Sequence, residues 1–141
     1  MTRRVLLLLP LAACCRAADP AQEVLDLVAD AAGALSAGNA SLFMKAFDPA
    51  MTGYAKLRQN VMDLVALGEV ESLIDLLEDE GDGQRRLEQF RWTLRMKRGD
   101  PSASFVRREQ VVKCKAEKRG GKWRIVELEP IEFFAPESPG K

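Results

Sequence analysis

The sequence has no histidine, a single tyrosine and three cysteines in 141 residues. Without histidine, and without two cysteines at CxxC spacing, the common zinc ligand sets cannot be assembled, and we expect neither a metal nor a cofactor. Cys14 and Cys15 are adjacent and cannot easily bridge each other. Cys114 stands alone in a stretch read below as a strand, so it is taken as a small buried apolar residue and not as part of a disulfide framework. Net charge is missing too: 21 basic residues balance 21 acidic ones. If Arg3 and Arg4 are removed with the segment that holds them, 19 basic residues face 21 acidic ones, which argues against a dedicated nucleic-acid binder. There is also no long apolar run. Val5 to Ala13 holds nine residues, where a bilayer span needs about 20.

What is present is an ordinary globular composition, 47% hydrophobic and 30% charged, in a length that suits one domain. Asp19-Pro20 opens a helix, with Asp as cap and Pro in the first turn. Val24, Leu27, Val28, Ala31 and Leu35 then form one apolar stripe, and Gly38 ends it. Asn39 caps a second helix through Phe47, and Asp48-Pro49 breaks it. A third helix is predicted from about Gly53 to Leu67, with Tyr54, Leu57, Val61, Leu64 and Val65 on one face.

From Val70 the period changes to two. Val70 to Glu78, Arg85 to Lys97, Phe105 to Glu117 and Trp123 to Phe134 read as antiparallel strands, because Phe90, Trp92, Leu94 and Met96 alternate with Arg91, Thr93, Arg95 and Lys97. A loop at Gly81-Asp82-Gly83 sets Ile74 opposite Phe90 and Asp79 opposite Arg85. Arg98-Gly99-Asp100-Pro101-Ser102 is turn chemistry. For the last hairpin a three-residue loop is preferred, aligning Cys114 with Val126. A two-residue Gly120-Gly121 loop would turn Glu127 inward beside Cys114, since a one-residue slip exchanges the faces of a strand. The fold class is therefore α+β: N-terminal helices packed on a curved antiparallel sheet of about four strands over residues 19–134, followed by a flexible tail at 135–141.

Residues 1–18 have the grammar of an export signal: a basic start, a short apolar run and then small residues. Leu11-Ala12-Ala13-Cys14 resembles the lipobox of bacterial lipoproteins, which implies lipidation of Cys14 and a membrane anchor; cleavage after Ala17 or Ala18 is the alternative. The helical junction Leu35-Ser36-Ala37-Gly38-Asn39 through Ala46-Phe47-Asp48-Pro49, followed by a meander ending in Gly120-Gly121-Lys122-Trp123-Arg124-Ile125-Val126, resembles the nuclear transport factor 2-like superfamily, the cystatin-like α+β cone. That resemblance implies a cone whose interior can hold a ligand or, in the enzymes of the superfamily, a carboxylate or histidine often joined by a tyrosine.

No matched acid–base pair emerges here. Tyr54 is the only tyrosine, and Asp75 is assigned to the outer face near Arg91. Tyr54 and Trp92 are candidate cavity or ligand contacts. Leu73, Val111, Trp123 and Ile125 are expected together on the outer sheet face as a partner surface, suited to a homodimer. The expected function is that of an exported, lipid-anchored binding or interaction module for a small apolar ligand or a protein partner. A cofactor-free isomerase or cyclase and a subunit of a cell-envelope assembly are the alternatives.

Overall fold

The computed structural model describes residues 19–100 and 102–136. The expected export segment with Cys14, and the last residues of the tail, lie outside the described residues. Three helices and four strands follow in order: α1 (Pro20–Ser36), α2 (Ala40–Met44), α3 (Tyr54–Leu67), β1 (Gly68–Gly81), β2 (Arg85–Arg98), β3 (Val106–Arg119) and β4 (Lys122–Glu129), closed by a 3-10 turn at Ile131–Phe134. The sheet is antiparallel in the order β1-β2-β3-β4. The α+β expectation holds.

The helix starts obey local chemistry. Asp19 accepts a hydrogen bond from the Ala21 amide at 3.1 Å, and Asn39 accepts one from Leu42 at 2.9 Å. Val24, Val28, Ala31 and Leu35 put the apolar side of α1 into the core. α2 stops at Met44, earlier than expected. Beyond it the chain straightens to flank β4: the Asp48 amide donates to the Ile125 carbonyl at 2.9 Å, and the Ile125 amide to that of Ala46 at 2.8 Å. An edge that would otherwise offer free amide and carbonyl groups is thereby covered.

Register is where the sheet departs from expectation. Ile74 lies opposite Trp92 and Leu76 opposite Phe90, two residues from the predicted pairing. An even shift preserves the faces, so Ser72, Ile74, Phe90, Trp92 and Leu94 still share the inner side. Leu77 is an extra residue, beyond which Asp79 meets Glu88 and Gly81 meets Arg86. β1 thus runs on to Gly81, and Asp82 makes the turn by accepting from the amides of Gln84 and Arg85.

The last hairpin corrects a second expectation. Its loop is the two-residue one, with Gly120 and Gly121 at φ of 58° and 81°, the conformation that a tight hairpin needs and that glycine adopts without cost. Ala116 therefore faces Ile125, but one further residue, Val126, bulges out before Lys115 meets Glu127 and Cys114 meets Leu128. The two-residue turn brings Trp123 and Ile125 to the inner side, where they are 9% and 0% exposed, and the bulge beyond them keeps Glu127 exposed. Neither belongs to the outer face assigned to it from the sequence; Leu73 and Val111 do stand there, exposed. The final strand is also shorter than predicted. It stops at Glu129, because Pro130 has no amide for the ladder, and the following turn folds Phe133 and Phe134 back under the helices.

Candidate functional site

The inner face of the sheet is filled. Phe43 and Phe47 come from the α2 segment, Phe90 and Trp92 from β2, and Phe133 and Phe134 from the closing turn, and none is more than 1% exposed. Their rings interlock. Phe134 meets Trp92 edge to face at 5.0 Å between centroids and Phe43 at 5.6 Å, and Phe43 meets Phe47 at 5.1 Å. Aromatic pairs at these distances are attractive beyond the area they bury. Trp92, a candidate ligand contact from the sequence, is part of this packing. Its indole N–H donates at 2.7 Å to the Ser72 hydroxyl, itself buried. Trp92 is therefore core, with its polar atom satisfied from within.

Tyr54 has a different setting. It is the first residue of α3 and lines a surface groove of about 1010 Å³ between α1, the α2 segment, α3 and the start of β4. Leu27, Met44, Phe47 and Trp123 supply its apolar lining; Glu23, Asp26 and Asp30 come from α1, and Lys45, Arg58, Lys122 and Arg124 from the remaining walls. Trp123 is fixed there by its indole N–H, which donates to Glu23 Oε1 at 2.9 Å, and Lys118 stands 3.8 Å from the same carboxylate. The groove thus pairs an apolar floor with one acidic wall and a basic one, features that would hold a small molecule by its body and orient its polar ends. Of the two contacts expected from sequence, the groove receives Tyr54 and not Trp92, and it gains Trp123.

Asp75 stands where expected, on the outer face and ion-paired with Arg91 at 3.6 Å. An inward carboxylate exists nonetheless. Glu88 is 1% exposed and faces Asp79 on one side and Cys114 on the other. It goes unremarked in the sequence, although it lies two residues before Phe90 and so shares its face; the charge of the side chain masks the alternation. Burial, followed by the neighbouring Asp79 carboxylate, pushes its pKa up to about 8. Asp79 is held below the usual range, first by the Arg86 guanidinium, which donates to it from Nε at 2.9 Å and Nη2 at 3.0 Å. Burial, and then the charge of Glu88, push the Cys114 thiol up, which fits the inert apolar role read from the sequence. Neither Glu88 nor Asp79 lines the Tyr54 groove. Among the described residues no group of histidine, cysteine and carboxylate side chains could hold a metal ion.

No family model and no curated protein matches the sequence. Solved structures do resemble it. A nuclear transport factor 2-like superfamily protein from Salmonella enterica serovar Typhimurium superposes with a TM-score of 0.65 at 14% identity, over 76% of this chain and 86% of that one. A nuclear transport factor 2-like protein from Streptomyces avermitilis, for which dehydratase activity has been suggested, gives 0.65 at 10% identity over 77% and 93%. A Nostoc punctiforme protein of unknown function with a cystatin-like fold gives 0.55 at 16% identity over 77% and 90%. At such identities the likeness speaks for architecture, and this chain has the α+β fold of the nuclear transport factor 2-like, cystatin-like proteins.

Proposed function

We propose that the chain is a binding module that takes a small ligand with an apolar body in the groove beside Tyr54 and Trp123, and that it does so at a membrane surface, anchored through lipid on Cys14. The observation that carries the binding reading is the filled interior. Six aromatic side chains close the inner face of the sheet, so a ligand has to be taken outside them, and the groove beside Tyr54 is a concave surface where apolar and charged groups converge. The isomerase or cyclase alternative needs a carboxylate working beside Tyr54 in a closed apolar site. The buried acid of this fold, Glu88, is instead packed against Asp79 and Cys114.

Tryptophan fluorescence separates the two surroundings, because Trp92 is sealed and Trp123 lines the groove. Titration with the apolar probe anilinonaphthalene sulfonate is expected to saturate and to quench Trp123, leaving the Trp123→Phe variant silent. Tyr54→Ala is expected to weaken the probe about tenfold, corresponding to about 1.4 kcal/mol. Binding untouched by either change would move the site elsewhere. The anchor rests on the lipobox-like Leu11-Ala12-Ala13-Cys14 alone. Its test is the intact mass of membrane-extracted protein: a chain beginning at a lipidated Cys14 is expected, and one beginning at Ala18 or Asp19 rejects it.

A further inference from the structure

The groove leaves Glu88 without a role, and its surroundings are unusual. Neither carboxyl oxygen has a hydrogen-bond partner, and both are out of contact with solvent. The nearest cation, Arg86, has its Nε 3.6 Å from Glu88 Oε2, too long for a hydrogen bond, because the guanidinium is already committed to both oxygens of Asp79. A carboxylate so placed would be a buried charge with no donor, one of the costliest arrangements in a protein. A carboxylic acid would not. Its proton supplies the missing donor, and the Asp79 carboxylate across the β1–β2 ladder is the acceptor.

We propose that Glu88 is held as the neutral acid in the folded domain, donating to Asp79, and that loss of this proton is a built-in alkaline switch that loosens the end of the sheet near the start of α1. The groups around it are Asp79 from β1, Arg86 on its own strand and Cys114 from β3, with Asp19 at the start of α1 close enough to act on Arg86. Asp79 is the only one of these that can accept the proton's hydrogen bond at neutral pH while remaining charged, and Arg86 keeps it so. The arrangement is thus a relay: Arg86 fixes Asp79, and Asp79 fixes the proton on Glu88.

The sign follows from linkage. Glu88 is protonated to a higher pH in the folded chain than in the unfolded one, where the ordinary value is 4.5, so the stability it contributes is complete in acid and drains away as pH rises towards about 8. Between those limits the folding equilibrium constant is expected to fall by up to about tenfold per pH unit and then to level off. The chain has no histidine, so no imidazole titrates within this window. Urea unfolding at half-unit steps from pH 5.5 to 8.5, below the range in which the thiol of an unfolded chain titrates, reads the slope. The parent is expected to lose stability across that range, while Glu88→Gln, which keeps an N–H donor towards Asp79, is expected to be nearly flat. Equal slopes in the two proteins would overturn the proposal. Infrared spectroscopy of the parent alone needs no variant to fold: a protonated-carboxyl band at pH 6.5 that disappears by pH 9.5 is expected, and a carboxylate-only spectrum at pH 6.5 would overturn it as well.

Discussion

Trp92 shows what a single polar atom requires once its side chain is sealed. The indole N–H cannot reach water, and the Ser72 hydroxyl, two strand residues from Ile74 on the same inner face, is the acceptor at 2.7 Å. Ser72 is itself fixed from the other direction, its amide donating to the Ser36 hydroxyl of α1 at 2.8 Å. One hydroxyl therefore links helix to edge strand and the next links edge strand to core. Ser72→Ala should leave the indole N–H unsatisfied and cost about 1–3 kcal/mol, read as a lower urea midpoint at unchanged slope. Ser72→Ala combined with Trp92→Phe should cost less than the sum of the single changes, since the second removes the orphaned donor. A Ser72→Ala protein as stable as the parent would mean that the indole has another acceptor. The alternation around Trp92 was legible because every inner residue from Phe90 to Met96 is apolar. Glu88 was not, because a charged side chain at an inner position looks like the end of the pattern. Its burial depends on Asp79 and Arg86, whose positions follow from a loop one residue further along, at residues 82–84, and from the bulge at Leu77.

At the scale of elements, the helix starts were read correctly, and the registers, which depend on pairing, were not. Helix starts at Asp19 and Asn39 are set by side chains within three residues, and the structure has both. Strand registers are set across the sheet, and two bulges, at Leu77 and Val126, moved them. The second bulge reconciles two demands that looked exclusive. Gly120-Gly121 favours the two-residue turn, and an exposed Glu127 favours the other register; one inserted residue satisfies both. The cost falls on the surface reading, since the two-residue turn sets Trp123 and Ile125 inward. Pro130 was the available sign that the last strand ends early. Without it Phe133 and Phe134 would continue along β4, but with it they return beneath the helices and complete the aromatic interior. Arg108 secures that return, its Nη1 donating to the carbonyls of Phe133 at 2.6 Å and Ala135 at 2.7 Å. Those bonds satisfy carbonyls that a single 3-10 turn leaves open.

For the whole molecule, the filled interior moves function to the surface, where the groove and the outer face of the sheet are candidates for it. The outer face keeps Leu73 at 61%, Leu87 at 50% and Val111 at 42% exposed, between cross-strand ion pairs such as Arg95–Glu71 at 2.6 Å and Arg91–Glu109 at 3.3 Å. The homodimer expected from the sequence would set a second copy of the chain on this face. Charges of both signs alternate there, so a twofold axis can set acid against base while bringing the aliphatic side chains together, and like-charge repulsion does not oppose the contact. Losing Trp123 and Ile125 from this face makes the contact smaller than the sequence implied, and the association is accordingly expected to be concentration-dependent. Sedimentation over a hundredfold concentration range should show monomer passing into dimer. Leu73→Asp with Val111→Asp should hold the protein monomeric without lowering its urea midpoint at dilution, because both side chains already face water in the single chain. A parent that stays monomeric throughout would reject the dimer and leave the groove as the proposed binding surface.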